Sequence, residues 1–203
     1  RGDLAPLADS PQRPGVEGPD PGIVAAAELY AARTGLVIRR QSNYVAMSEE
    51  LSRRLADAYE AMADDSTVPD VAEAYADLKR QTLAQYQALI DSGYRFWFFD
   101  AASDPYASNG FNALRDLRAT RTMAVYSTQA GYGNEPITDQ QRANNPMLED
   151  TGLRWPSGSL KGEEQPVLLN DVFRAVHDAF GHAMEGSGFR MHGEENAWQS
   201  HVR

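Results

Sequence analysis

The apolar residues between Ile23 and Leu89 recur with helical spacing. An alanine-rich stretch from Ile23 reads as a helix to about Thr34, stopped by Gly35. Ser48 is placed to cap a second helix, with Glu49 and Glu50 in its first turn and Leu51, Leu55, Tyr59 and Met62 on one face. Asp64-Asp65-Ser66-Thr67 breaks that pattern, and Pro69 opens the longest helix. There Val71, Tyr75, Leu78, Thr82, Tyr86 and Leu89 follow one another at steps of three and four, a core-facing stripe that ends at Ser92-Gly93. The second and third helices are expected to pack as an antiparallel pair.

The pattern then changes. Tyr94–Asp100 (YRFWFFD) reads as a buried strand and Thr122–Thr128 (TMAVYST) as another, with a turn at Asp104-Pro105-Tyr106 and a short helix over Phe111–Arg118 between them. Residues 129–165 lack periodicity and are rich in Gly, Asn, Pro and Asp, which predicts a long loop of the kind that forms lids or binding surfaces. The expected fold class is α+β, predominantly α-helical, with a bundle-like helical core and a small two-stranded β element. Residues 1–22, with five prolines and four glycines, read as a flexible arm before one globular domain over 23–203. That arm is a candidate contact to a neighbouring subunit, and its ordinary reading is a solvated tail. The start at Arg1, and the end at Arg203 inside a helical pattern, lead us to expect processing or truncation at one or both ends.

Composition narrows the chemistry. The 203 residues include 19 Lys+Arg against 29 Asp+Glu, a net charge of −10 that disfavours general nucleic-acid binding. No segment has the length and apolarity of a membrane helix, and no signal peptide is visible. With no cysteine, a thiolate nucleophile, a disulfide framework and a Cys-ligated metal are excluded. Phosphate-binding, dinucleotide-binding, nucleophile-elbow and H-E-x-x-H patterns are absent.

All four histidines fall between 177 and 201, in a helical hairpin over 167–203. Asn170 is placed to cap a helix on which Phe173, His177, Phe180 and Met184 share a face, so His177 points inward and needs a partner. His182 lies five residues on, about 140° around an ideal helix from His177. The two rings converge if a π-bulge widens the turn or if the helix ends at Gly181. Asp178 is placed as an outer acceptor for His182. A helix from Gly193 puts Glu194, Trp198 and His201 on one face and turns Glu195 towards Gln199.

His177, His182 and a carboxylate from Glu194 or Glu195 would make a two-histidine, one-carboxylate site. Such a site suits a divalent metal, Fe(II) first and Zn or Mn next. Asp178 and His201 are the candidate catalytic residues, His201 as a fourth ligand or proton shuttle. Arg115 and Arg118 are candidates for binding an anionic substrate group. Each residue also has an ordinary reading: His177 as a satisfied core histidine, His182 and His192 as surface residues, Glu194 as a first-turn acid.

His177-Asp178-x-x-Gly181-His182 resembles the iron-binding motif of the aromatic amino acid hydroxylases, which implies His177 and His182 as Fe(II) ligands. The glutamate of that family lies further downstream than Glu194 or Glu195, and its pterin-binding segment has no evident counterpart here. A longer resemblance is to an uncharacterised module of tailed-phage proteins. It rests on Asn170-Asp171-Val172-Phe173-Arg174-x-Val176-His177-Asp178-x-Phe180-Gly181-His182 and Gly193-Glu194-Glu195-Asn196-Ala197-Trp198-x-x-His201, with Asp104–Ser108 and Arg115–Arg118 upstream. It implies phage origin, a location in the virion or the host cytoplasm, and a virion component as a candidate partner of the 1–22 arm. The chain is thus read first as a phage-encoded metalloprotein of oxygenase or hydrolase type. The alternatives are a virion-associated structural protein with a polar histidine network, and a binding module that uses the 129–165 loop.

Overall fold

The computed structural model describes residues 18–40, 45, 48–62, 65–132 and 137–201. Its first helix, α1 (Pro21–Thr34), begins where the Asp20 carboxylate accepts from the Gly22 and Ile23 amides and ends where Gly35 turns left-handed at φ 71°. Helix α2 (Glu49–Ala61) is capped by the Ser48 hydroxyl, which accepts from the Leu51 amide. Helix α3 (Pro69–Asp91) carries proline at its first position. Then come β1 (Arg95–Phe99), α4 (Phe111–Thr120) and β2 (Thr122–Tyr126). Strands β1 and β2 pair in parallel, Arg95 opposite Thr122 through Phe99 opposite Tyr126, so α4 is the crossover a parallel pair requires.

The chain is α+β and mostly helical. Two expectations fail in instructive ways. The 129–165 region holds a short helix, α5 (Asp139–Asn144), a 3₁₀ turn at Pro146–Leu148 and an antiparallel hairpin of β3 (Asp150–Pro156) with β4 (Glu164–Leu168). Its register shifts between Asp150 and Arg154, next to Gly152 at φ 78°. That irregularity erased the alternation by which a strand is recognised. Helix α2 buries none of its residues, and Leu55, Tyr59 and Met62 are exposed. The stripe of α3 packs instead against α1 and against the helix that leads into the histidine cluster.

The core gathers between these elements. Tyr86, Phe96, Phe98 and Trp155 form an aromatic cluster with ring centroids 5.0 to 5.9 Å apart, and the Trp155 indole N–H donates to the Tyr86 hydroxyl at 2.8 Å. Leu89, Leu117, Met123, Val167, Val172 and Val176 complete it. Of the arm expected over 1–22, residues 1–17 lie outside the described part, while Pro21 and Gly22 belong to α1. Arg118 donates to the Gly18 and Pro19 carbonyls at 2.8 and 2.7 Å, and the Asp20 amide to the Ala183 carbonyl at 2.9 Å. Residues 18–20 are thereby fastened to the histidine-bearing segment.

Candidate metal centre

The site is built on α6 (Leu169–Val176), which starts one residue before the expected cap. Asn170 donates to the Thr128 hydroxyl, and the cap is made by the fully buried Asp171. Its two carboxylate oxygens accept from the Thr128 and Leu168 amides, each at 2.8 Å. Burial pushes this carboxyl up, against the pull of those donors. Arg174 donates to the Tyr126 carbonyl at 2.6 Å. These bonds hold α6 to the end of β2, so the residues that follow issue from a rigid base.

At His177 the α-helix widens into a π-helix, His177–Ala183, and the Met184 amide reaches the Ala179 carbonyl five residues back at 2.9 Å. A five-residue repeat puts His182 over His177 and removes the divergence of an ideal α-helix. Their Nε2 atoms lie 3.0 Å apart. Helix α7 (Met191–His201) then crosses the π-helix and brings Glu194 Oε2 to 3.4 Å from both Nε2 atoms.

Two glycines permit that crossing. A Cβ on Gly181 would sit 3.0 Å from His201 Nε2, 3.1 Å from the Ala197 Cβ and 3.3 Å from His177 Nδ1. A Cβ on Gly193 would collide with the Gly188 carbonyl. Asn196 fastens the same helix to a remote segment. Its side-chain oxygen accepts from the Val45 amide and its nitrogen donates to the Val45 carbonyl, each at 2.9 Å.

The three converging atoms form a triangle with sides of 3.0, 3.4 and 3.4 Å. Ligand atoms about 2.1 Å from a metal stand about 3.0 Å apart in octahedral and about 3.4 Å apart in tetrahedral geometry. The circumradius of the triangle is about 1.9 Å, inside a bond length of about 2.1 Å, so the three atoms are spaced as donors to one such ion would be. His182 is fully buried, His177 is half-buried and Glu194 is the solvent-facing donor.

The surroundings orient these groups. The Ser187 carbonyl lies 3.3 Å from His182 Nδ1, the place that sequence reasoning gave to Asp178. The π-turn carries Asp178 elsewhere, and it makes no hydrogen bond to a described residue. Burial pushes its carboxyl up. Phe189 covers the His182 ring at 4.3 Å between centroids, and Phe173 lies nearly parallel to the His177 and His201 rings, at 18° and 21°.

His201 Nε2 meets His177 Nδ1 at 3.1 Å, on the side of the ring away from the triangle, so His201 is not a fourth ligand to an ion held there. Its ring is walled by Phe173 and His177. The residue is exposed, but desolvation of its ring by these neighbours, then the His177 and His182 charges, brings its pKa down to about 4. His177 and His182 hold Glu194 down to about 2. Burial works to lower His177, but Glu194 and Asp178 outweigh it and raise its pKa.

The remaining candidates lie apart from the triangle. Glu195 accepts from Gln199 Nε2 at 3.0 Å, as its helical position implied. Arg115 is exposed and donates to Asn112, while Arg118 serves the Gly18 and Pro19 carbonyls. His192, expected on the surface, is half-buried, and its carbonyl accepts from Asn196. Sequence reasoning missed Ser187, Phe189 and the double clasp of Asn196. Gly181 facing Ala197 was the readable signal that α7 crosses there. No family model, curated protein or solved structure matches the chain.

Proposed function

We propose that this chain is a metal-binding protein whose His177, His182 and Glu194 hold a divalent cation on one face and leave the other face for a reacting ligand. The observation that carries this reading is the convergence of two imidazole nitrogens and one carboxylate oxygen at coordination spacing. Two nitrogens and one oxygen with open positions suit non-haem Fe(II), with Zn or Mn as the next choices. The bound ion would act as a Lewis acid or an oxygen activator, which makes the reaction class a metal-dependent oxygenase or hydrolase. The chain's own part is to orient the donors. Ser187 and His201 hold the far sides of the two rings, and Phe173 and Phe189 pack against them. The resemblance of the 170–201 segment to a tailed-phage module supports a phage-encoded protein that works in the virion or in the host cytoplasm.

The second reading is a virion-associated structural protein with a metal-free histidine network. It is favoured by the same 3.0 Å contact, since one imidazole N–H pointing at the other ring satisfies both nitrogens. Elemental analysis separates the two. The purified chain should hold about one equivalent of metal after reconstitution under reducing conditions. His177→Ala, His182→Ala and Glu194→Gln should lose it, and Glu195→Gln should keep it. A wild-type chain that takes up none of Fe(II), Zn(II) or Mn(II) sinks the metal reading and leaves the network.

A further inference from the structure

We propose that His177 and His201 form a tautomer relay, in which the hydrogen bond between them reverses direction when His177 becomes a metal ligand. The inference rests on the metal reading above. It follows from asking where each proton can sit. The Ser187 carbonyl only accepts, so His182 Nδ1 carries the hydrogen and a neutral His182 presents a bare Nε2 to the triangle. Glu194 Oε2 is likewise an acceptor. Of the three atoms that converge, only His177 Nε2 is left to carry a hydrogen while the site is empty. The Nδ1 of His177 is then bare, and its 3.1 Å contact is a bond donated by His201 Nε2–H.

Coordination demands the opposite. A ligating His177 Nε2 must be bare, which moves the hydrogen of that ring to Nδ1. The same contact must now run from His177 Nδ1–H to a bare His201 Nε2. The protons balance: one leaves His177 Nε2 for solvent, one crosses from His201 Nε2 to His177 Nδ1, and one enters His201 at Nδ1 from solvent. At a pH where His177 is neutral, both rings are neutral before and after.

The geometry suits this exchange. The His177 and His201 planes differ by 12°, and the N···N contact joins the rings edge to edge, in the plane where both lone pairs lie. Phe173 runs nearly parallel to both rings, and the bare Cα of Gly181 leaves the room that the pair occupies. A carbonyl or carboxylate on Nδ1 would accept in either state and so would favour the loaded ring alone. Histidine can donate or accept. The pair is therefore satisfied whether the site is empty or filled. His201 is a positioning residue, acting on the ion through His177.

Nitrogen-15 NMR on the full chain reads the tautomers directly, in metal-free protein and after loading with Zn(II). We expect a coupling across the His177–His201 hydrogen bond in both states, with Nε2–H on both rings when empty and Nδ1–H on both when loaded. His201→Ala should weaken Zn(II) binding by about 10- to 100-fold, the usual effect of removing an outer partner. His201→Gln, whose amide can donate or accept, should recover most of that loss. Bound Zn(II) with an unchanged His201 tautomer, absence of the coupling, or equal weakening by alanine and glutamine each overturns the relay while leaving the centre standing. A wild-type chain that binds no Zn(II) overturns the centre and the relay with it.

Discussion

Gly181 sets two effects of opposite sign against each other. Replacing a helical glycine by alanine ordinarily stabilises by about 1 kcal/mol. Here the added Cβ would press on the His177 and His201 nitrogens and on the Ala197 methyl at 3.0 to 3.3 Å. Overpacking of this kind costs about 1–3 kcal/mol, and α7 can relieve it only by moving off the π-helix with Glu194. Gly181→Ala should therefore be neutral to mildly destabilising in urea unfolding yet bind Zn(II) at least about 10-fold more weakly by calorimetry. Unchanged affinity would show that α7 does not need this close approach. Asp171 poses a different problem, since both of its oxygens accept from backbone amides. Asp171→Asn turns one acceptor into a donor facing a donor, and should cost about 1–3 kcal/mol at neutral pH. Burial raises the folded-state pKa of Asp171, so this carboxyl holds its proton more tightly folded than unfolded. Its contribution is then fully present below the unfolded value and declines as pH rises through the raised one. The gap between wild type and Asp171→Asn should widen between pH 7 and pH 4 in paired urea titrations. A gap that narrows on acidification would contradict the raised pKa.

At the level of elements, helix α2 shows what hydrophobic periodicity can and cannot say. Leu51, Leu55, Tyr59 and Met62 lie on one face, as their spacing requires, but the described structure sets no core against that face. Leu55→Lys and Tyr59→Ser should shift stability by less than about 0.5 kcal/mol each in chemical denaturation. Losses near 2 kcal/mol would mean that the face is covered in solution. Periodicity reports that a residue belongs to an apolar face, and only tertiary packing decides what that face meets. For the same reason helices α1, α2 and α3 were legible from their own start and stop signals and stripes, while the pairing of α3 with α1 was not. The strands of the parallel pair were legible because Phe96–Phe99 are aromatic in succession and Met123–Tyr126 form a short apolar run. The β3–β4 hairpin was hidden by Gly152 and a shifted register. In the site, the ligand types and the five-residue step of His177 and His182 could be read, along with the need for a π-turn to join them. The choice of Ser187 over Asp178 behind His182 could not, because that turn rotates Asp178 away from where an α-helix would hold it.

For the molecule as a whole, the weak point is α7. Its buried positions are Gly193, Asn196, Ala197 and Gln199, so it adds little apolar area to the core. Its anchors are polar: the Asn196 clasp on Val45, the His201 contact with His177, and Glu194 beside both ligand imidazoles. A segment with so little apolar burial opens at lower free energy than the core around Leu89 and Val172. A cation shared by Glu194 on α7 and by two histidines on the π-helix would cross-link the two. Ligand at 100 times its dissociation constant adds about 2.7 kcal/mol, which for a chain of this size raises the melting temperature by about 5–11 °C. The gain should be uneven. Hydrogen exchange of the α7 amides should slow on loading with Zn(II) far more than exchange in β1 and β2, whose opening is already limited by the aromatic cluster. His177→Ala should abolish both the melting shift and the local protection, because no cross-link then forms. A uniform slowing across the chain, with α7 no different from β1, would place the stabilisation in global unfolding and would deny that α7 is the segment the metal holds.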